Sequence, residues 1–174
     1  MRFIPIYLLS IFIVEVYNNP AIVVSYLSRQ VGNGYCYGAS GERMTEAVLA
    51  RLVQVHGKDR VNPDYQRDHN MGKIVYDCSG LVMRAFNEVG IRIYHGATTA
   101  WKGTKWSKKG PISQLPQGKV AILYMADGDT MTHTGVYTGG NYCIHAKGLK
   151  FGVVKETMDK TKWTHFGIPD KLYK

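Results

Sequence analysis

Three side chains in this sequence are of the types that carry out nucleophilic acyl transfer: Cys78, His133 and His145. Cys78 stands in Asp77-Cys78-Ser79-Gly80, directly before an apolar pattern that predicts a helix. The unpaired N–H groups and the positive dipole end of a helix N-terminus favour a thiolate and can receive an oxyanion, so we expect a lowered pKa for this thiol. The alternative is a small buried cysteine at a helix cap.

The two histidines lie on consecutive predicted strands that are separated by the Gly139-Gly140 turn. In a hairpin that closes near these glycines the two imidazoles can meet, so His145 can bond the far nitrogen of His133 and fix its tautomer. A nucleophile, a base and an orienting group together follow the logic of a catalytic triad. Strand histidines are otherwise structural residues or metal ligands, but the sequence offers no third ligand at metal spacing, and we predict no metal.

The elements that must position these residues are predicted as helices first and strands afterwards. Apolar periodicity and capping residues predict helices over 21–31, 42–55 and 79–90, with 58–73 as a long surface connection. Short strands are predicted over 120–125, 132–137, 142–146 and 152–156. This order predicts an α+β fold in which N-terminal helices pack on a central antiparallel sheet, as one domain over 19–174.

The first residues have the pattern of an export signal. Met1-Arg2 precedes an apolar run, Phe3 to Val14, that is too short to span a bilayer. We therefore predict a signal peptide or N-terminal extension over 1–18 and a secreted or extracytoplasmic protein. Residues 15–19 supply no small-residue cleavage site, and a buried N-terminal strand or helix is the alternative.

The charge is strongly basic and uneven. The 174 residues carry 22 Lys and Arg against 13 Asp and Glu, a net charge of +9, and the excess lies after residue 90. Such a balance points to nucleic acid, an anionic membrane or a cell-wall polymer. The stretch from Trp101 to Lys119 contains five lysines and no acid, so it is either a binding surface or a solvated loop. No zinc-finger, RRM-like or P-loop signature accompanies it, which disfavours nucleic acid.

The remaining cysteines and histidines are predicted to have no catalytic role. Cys36 and Cys143 can form one disulfide in an exported protein or can simply be packed in the core. The other four histidines are predicted to serve at the surface or as caps: His56, His69, His95 and His165.

Three motifs together resemble a known family. Asp77-Cys78-Ser79-Gly80-Leu81-Val82, then His133 to Gly139, then Ile144-His145-Ala146 resemble the NlpC-type bacterial cell-wall cysteine peptidases in order and spacing. Upstream, Tyr35-Cys36-Tyr37-Gly38 resembles the family's tyrosine-containing element. The chain departs from many relatives in the longer stretch between Gly38 and Asp77, which we expect to reshape the substrate groove.

The resemblance implies a papain-like fold in which Cys78 is the nucleophile, His133 the base and His145 the orienting residue. It also implies that Tyr35 helps bind substrate or the oxyanion, and that Asp77 and Ser79 bind the amino end of a stem peptide, with plain helix capping as the alternative for those two. The implied activity is hydrolysis of peptidoglycan stem peptides at the γ-D-glutamyl–diamino acid bond, without a cofactor and without stable membrane insertion. An amidase or acyltransferase on the same fold and a non-catalytic wall-binding module are the rival interpretations.

Overall fold

The structure, a computed structural model, describes residues 19–174; the predicted signal segment over 1–18 lies outside them. The first element is helix α1, Pro20–Gln30, which confirms the predicted first helix. The Asn19 side chain accepts a hydrogen bond from the Ala21 N–H, and Pro20 occupies the first turn, where its missing N–H costs nothing.

A small sheet and a helical insert follow. Strands β1 (Gly34–Tyr35), β2 (Ser40–Arg43) and β3 (Ile74–Tyr76) form a sheet in the order β1-β3-β2. The insert between β2 and β3 contains α2 (Glu46–His56), α3 (Lys58–Val61) and α4 (Pro63–His69).

The insert corrects two predictions. Helix α2 begins four residues later than the predicted start at 42, because Thr45 caps it and residues 40–43 pair with β3 instead. The predicted surface connection over 58–73 is mostly helical. Asn62, which has a positive φ of 54°, ends α3 and caps α4, while Val61 and Gln66 are fully buried. Because only a few residues of this polar segment are buried, its composition does not predict these helices.

Helix α5, Cys78–Asn87, is the central helix of the molecule. It packs on a six-stranded sheet whose order is β4-β9-β5-β6-β7-β8. The strands are β4 (Trp106–Pro111), β5 (Ala121–Asp127), β6 (Thr130–Tyr137), β7 (Tyr142–Gly148), β8 (Gly152–Thr157) and β9 (His165–Pro169). All neighbouring pairs are antiparallel, so the predicted α+β class with a central antiparallel sheet is confirmed.

The basic stretch after residue 100 is more ordered than the loop that its sequence predicts. Helix α6, Ala97–Gly103, is followed by β4 and by a 3₁₀ turn over Ile112–Gln114. Strand β4 is an edge strand that pairs with β9. Neither of these two strands is among those predicted from the sequence. Exposed lysines on an edge strand protect it from pairing with other chains, which accounts for part of its unusual composition.

Two clusters of apolar side chains stabilise this arrangement. The larger cluster joins the buried faces of α1 and α5 to the six-stranded sheet, and the smaller one, which contains Cys36, lies under the insert. Cys143 belongs to the larger cluster, and both thiols are free and buried, so the disulfide considered between them is not formed. Within residues 19–174 no helix has the length and apolar character needed to cross a bilayer.

Candidate active site

Cys78 is the first residue of α5 and faces strand β6. Asp77 caps this helix through a 2.6 Å hydrogen bond from the Gly80 N–H to its side chain. A Cβ on Gly80 would collide with the carbonyl oxygen of Ala39, so the glycine lets the start of α5 press against the chain that enters β2. The helix start is thereby fixed against both sheets, and the thiol is fixed with it.

The protonation of this thiol differs from the sequence-based expectation. Burial, together with the neighbouring Asp77 carboxylate, raises the pKa of the Cys78 thiol to about 11. Backbone N–H groups of Thr134, Ser79 and Cys78 itself favour the thiolate but only partly offset this rise. The expected lowering by the helix N-terminus is therefore wrong for the free protein, because desolvation and the Asp77 charge outweigh it. The Cys78 thiol is therefore neutral in the free protein.

The two strand histidines meet as predicted. Nε2 of His133 lies 2.7 Å from Nδ1 of His145, and the rings are nearly perpendicular. Burial and the neighbouring His145 lower the pKa of His133 to about 4, so His133 is neutral at physiological pH. His145 is 2% exposed, and burial lowers its pKa as well. A neutral imidazole keeps a lone pair that can accept a proton, which is what a general base needs.

Trp163 packs against both imidazoles. Its ring stacks on His133 at a centroid distance of 5.6 Å and meets His145 edge-on at 5.4 Å. Trp163 is 3% exposed, so it also excludes water from this side of the pair. Trp163 lies 30 residues after His133 in a segment without strand periodicity, so the sequence does not predict its place beside the histidines.

The hydrogen-bond chain continues beyond the predicted residues. Nε2 of His145 lies 3.2 Å from Oε1 of Glu156, and the Lys147 ammonium donates to Oε2 of the same carboxylate at 2.7 Å. Burial opposes ionisation of Glu156, but the bonds from Lys147 and His145 outweigh it and hold its pKa below the usual value. Glu156 was also missed, although the β7–β8 register places it opposite Cys143, two residues from His145.

This corner contains a group with metal-ligating atoms, contrary to the expectation from sequence spacing. Cys143, His145 and Glu156 bring a sulfur, an imidazole nitrogen and a carboxylate oxygen within 4.8 Å of one another, a donor set of the kind that Zn²⁺ accepts. The His145 nitrogen is hydrogen-bonded to Glu156, and Lys147 compensates the Glu156 charge. The polar atoms are thus satisfied by protein contacts.

Asp77 and Ser79 hold a loop against the site. Asp77 Oδ1 accepts hydrogen bonds from Ser79 and Gly80, and Oδ2 accepts from the Gly38 N–H and pairs with Nε2 of His95 at 2.9 Å. The Ser79 hydroxyl accepts from the Gly96 N–H. The hydrogen bond and charge of Asp77 raise the pKa of His95 against the effect of burial. His95, assigned above to a surface or capping role, is thus part of the cleft wall.

Tyr35 lies across the cleft and is held there by the insert. Side-chain amides of Gln66 and Asn70 each donate to the Tyr35 carbonyl oxygen at 3.1 Å. Burial raises the pKa of the Tyr35 phenol, and the nearby Cys78 and Asp77 raise it further, so the phenol stays a hydrogen-bond donor at neutral pH.

These residues enclose an open cleft of about 350 Å³. Its lining contains Cys78 and the three predicted substrate-binding residues, Tyr35, Asp77 and Ser79, together with Tyr37, His56, His95, Met131 and Thr132. His133 and His145 are not part of this lining. His56 comes from the end of α2 and meets the Tyr37 ring edge-on at 5.3 Å. The helical insert therefore contributes His56 to the lining of the groove.

Comparison with known proteins gives a consistent result. The sequence profile of the NlpC/P60 family matches residues 57–168. Over 124 residues the chain is 33% identical to the peptidoglycan endopeptidase RipA of Mycobacterium tuberculosis, an alignment covering 65% of this chain and 25% of RipA. The chain spans about a quarter of the length of the curated relatives it matches.

Solved structures show the same fold. The NlpC/p60 domain of the peptidoglycan hydrolase SagA superposes with a TM-score of 0.57 at 17% identity, covering 86% of this chain and 97% of that domain. The peptidoglycan hydrolase RipB from Mycobacterium tuberculosis superposes with a TM-score of 0.58 at 19% identity, covering 88% of this chain and 65% of RipB. The helix-and-sheet arrangement around Cys78 is therefore a recurrent one.

Proposed function

Because this chain belongs to the NlpC/P60 family, we propose that it is a cysteine peptidase that hydrolyses the stem peptides of peptidoglycan. The observation that supports this best is the His133–His145 pair on the strands against which α5 packs, together with the Cys78 thiol at the start of α5, which lines an open cleft. The similarity to RipA supports the substrate class. This substrate places the protein's action outside the cytoplasm.

In the proposed reaction, His133 takes the proton of the Cys78 thiol as the sulfur attacks the scissile carbonyl carbon. The N–H groups of Cys78 and Ser79 lie against the sulfur, where the oxyanion forms, and the Tyr35 phenol is the third donor we assign to it. His133 then protonates the leaving amine. In the second half, His133 deprotonates a water that attacks the thioester, and the Cys78 thiol is restored.

The remaining site residues have positioning roles in this proposal. His145 holds His133 in the tautomer that accepts the thiol proton. Asp77 and Ser79 line the cleft, and a substrate amino group reaches the Asp77 carboxylate by replacing His95. In the free protein their contacts are those of a helix cap and a loop clamp. No step in the scheme requires a cofactor.

The scissile bond we propose is the γ-D-glutamyl–diamino acid link. Digestion of purified peptidoglycan by wild type and by Cys78→Ala, followed by mass spectrometry, tests the activity and the bond together. We expect new diamino-acid amino termini with wild type and none with Cys78→Ala. A lactyl carboxyl newly freed on the sugar would identify an amidase, transfer of the peptide to an added amine would identify an acyltransferase, and equal digestion by both proteins would overturn the peptidase proposal.

A further inference from the structure

The contact that the proposed mechanism leaves unused is the one between His145 and Glu156. Glu156 lies on β8 opposite Cys143, so it is the diagonal neighbour of His145 on the same face of the sheet. The carboxylate accepts hydrogen bonds on both oxygens, from His145 at 3.2 Å and from Lys147 at 2.7 Å. The two partners flank it, and its side chain is 31% exposed.

Hydrogen-bond chemistry fixes the protons along this chain of residues. An ionised carboxylate only accepts hydrogen bonds, so Nε2 of His145 must carry a proton. A neutral His145 then has its lone pair on Nδ1, and this atom accepts the Nε2–H of His133. Neutral His133 therefore has its own lone pair on Nδ1, which is the atom left to take the Cys78 proton. Reversing any one bond would place a proton on that atom and block the base.

We propose that Glu156 is a fourth, positioning residue of this site, which sets the base-competent tautomers of His145 and His133 through the bond to His145 Nε2. The proposal rests on the proposed function, in which His133 is the base. Lys147 keeps Glu156 ionised and holds it in place. Among the hydrogen bonds of residues 19–174, none joins Lys147 to either imidazole. The carboxylate also compensates the positive charge that His133 gains during each proton transfer.

The test compares Glu156→Gln with Glu88→Gln, which makes the same change at an exposed position after the end of α5. We expect kcat/KM of Glu156→Gln on a soluble stem peptide to fall by about ten- to a hundredfold, the usual loss when an outer orienting partner is removed. We expect Glu88→Gln to match wild type and Glu156→Asp to recover part of the loss, since it keeps the charge. Thermal unfolding of each variant separates this effect from a folding defect.

Nitrogen-15 NMR of labelled histidines reports the tautomers of His133 and His145 directly. These tautomers would not change on mutation if Glu156 had a purely structural role. We expect His145 as the Nε2–H tautomer and His133 with an unprotonated Nδ1 in wild type and in Glu88→Gln. In Glu156→Gln, whose amide both donates and accepts, we expect mixed tautomers. Unchanged kcat/KM, or unchanged tautomers in Glu156→Gln, would overturn the assignment. If wild type leaves peptidoglycan intact, the proposed function fails, whereas the NMR result still decides the role of Glu156 in setting the tautomers.

Discussion

At the scale of single residues, the free thiol of Cys78 is held neutral by its surroundings. Burial and Asp77 raise its pKa to about 11, and burial and His145 lower the pKa of His133 to about 4. Both shifts favour the uncharged pair over a thiolate–imidazolium pair. In the proposed reaction the proton must therefore move during attack on the carbonyl, which makes the tautomer of His133 decisive.

The raised pKa of the Cys78 thiol predicts how the rate of its alkylation depends on pH. In the free protein, thiolate is the reactive form of Cys78, and a raised pKa leaves little of it at neutral pH. We expect the rate of reaction with a small haloacetamide, followed at Cys78 by mass spectrometry, to rise by about tenfold per pH unit from neutrality and to level off only well above the ordinary thiol pKa of about 8.5. Cys78→Ser shows the background from Cys36 and Cys143. A plateau already present at neutral pH would mean a preformed ion pair.

Some residues of the site can be predicted from the sequence immediately around them, and others cannot. Cys78 and the two histidines are recognisable because a helix cap, two strands and a glycine turn place them from short stretches of sequence. His95, Trp163 and Glu156 join the site only through the pairing of distant segments. His95 is 18 residues from Asp77, and its sequence context gives no sign of that contact.

At the scale of elements, the β6–β7 pairing depends on one glycine. A Cβ at Gly135 would lie 2.7 Å from the Cβ of His145, which is closer than real Cβ contacts come, and 3.0 Å from the Trp163 ring, which is tighter than most of them. The φ of Gly135 is not in the positive range, so the requirement is for space and not for backbone freedom. The absent side chain lets His145 and Trp163 pack directly over β6.

We expect Gly135→Ala to lower the free energy of unfolding by about 1–3 kcal/mol, as overpacking of a core does. It should also reduce peptidase activity more than stability alone explains, because the added methyl displaces the residue that orients His133. Urea unfolding and kcat/KM of the folded protein measure the two effects. Gly140→Ala is the matched control, since nothing lies within 4 Å of a Cβ there and its φ is not positive. A fully active Gly135→Ala would show that the spacing of His145 is not critical.

The helices and strands that the sequence predicts are those with a clear local pattern. Helix α1 is predicted to within a few residues from its Asn19 cap, and helix α5 from its apolar periodicity. Strands β5 to β8 were predicted from alternation and turn glycines. Strands β4 and β9 were not, since β4 is rich in lysine and β9 pairs between β4 and β5 across a long stretch of chain. Such pairing is decided by the whole sheet, and a local pattern does not contain it.

At the scale of the whole molecule, part of the basic excess lies beside the cleft. Trp101, Lys102, Lys109 and His165 line a second cavity of about 430 Å³, and its lining shares Met131 with the Cys78 cleft. Lys109 lies over the Trp101 ring, with its ammonium 4.6 Å from the centroid. The basic stretch predicted either as a binding surface or as a solvated loop thus forms a structured surface next to the site. An anionic wall polymer that reaches Cys78 would pass these lysines.

This placement predicts different effects on large and small substrates. We expect neutralising Lys102 and Lys109, both exposed and both lining the cavity beside the cleft, to slow digestion of intact peptidoglycan and to weaken its dependence on salt. A short soluble stem peptide should be cleaved at the wild-type rate, because it engages only the cleft. The rates are compared at low and high ionic strength on both substrates.

Neutralising Lys73 and Lys150 is the control for this experiment. These exposed lysines line a separate cavity, so their loss changes net charge without touching the surface beside the cleft. If the two sets of variants slow wall digestion by the same amount per charge, attraction depends on total charge and the position of the lysines is irrelevant. If only the set beside the cleft does so, the steep charge asymmetry of the chain is explained by where the wall polymer meets the site, since long-range attraction is screened within about 10 Å in ordinary salt.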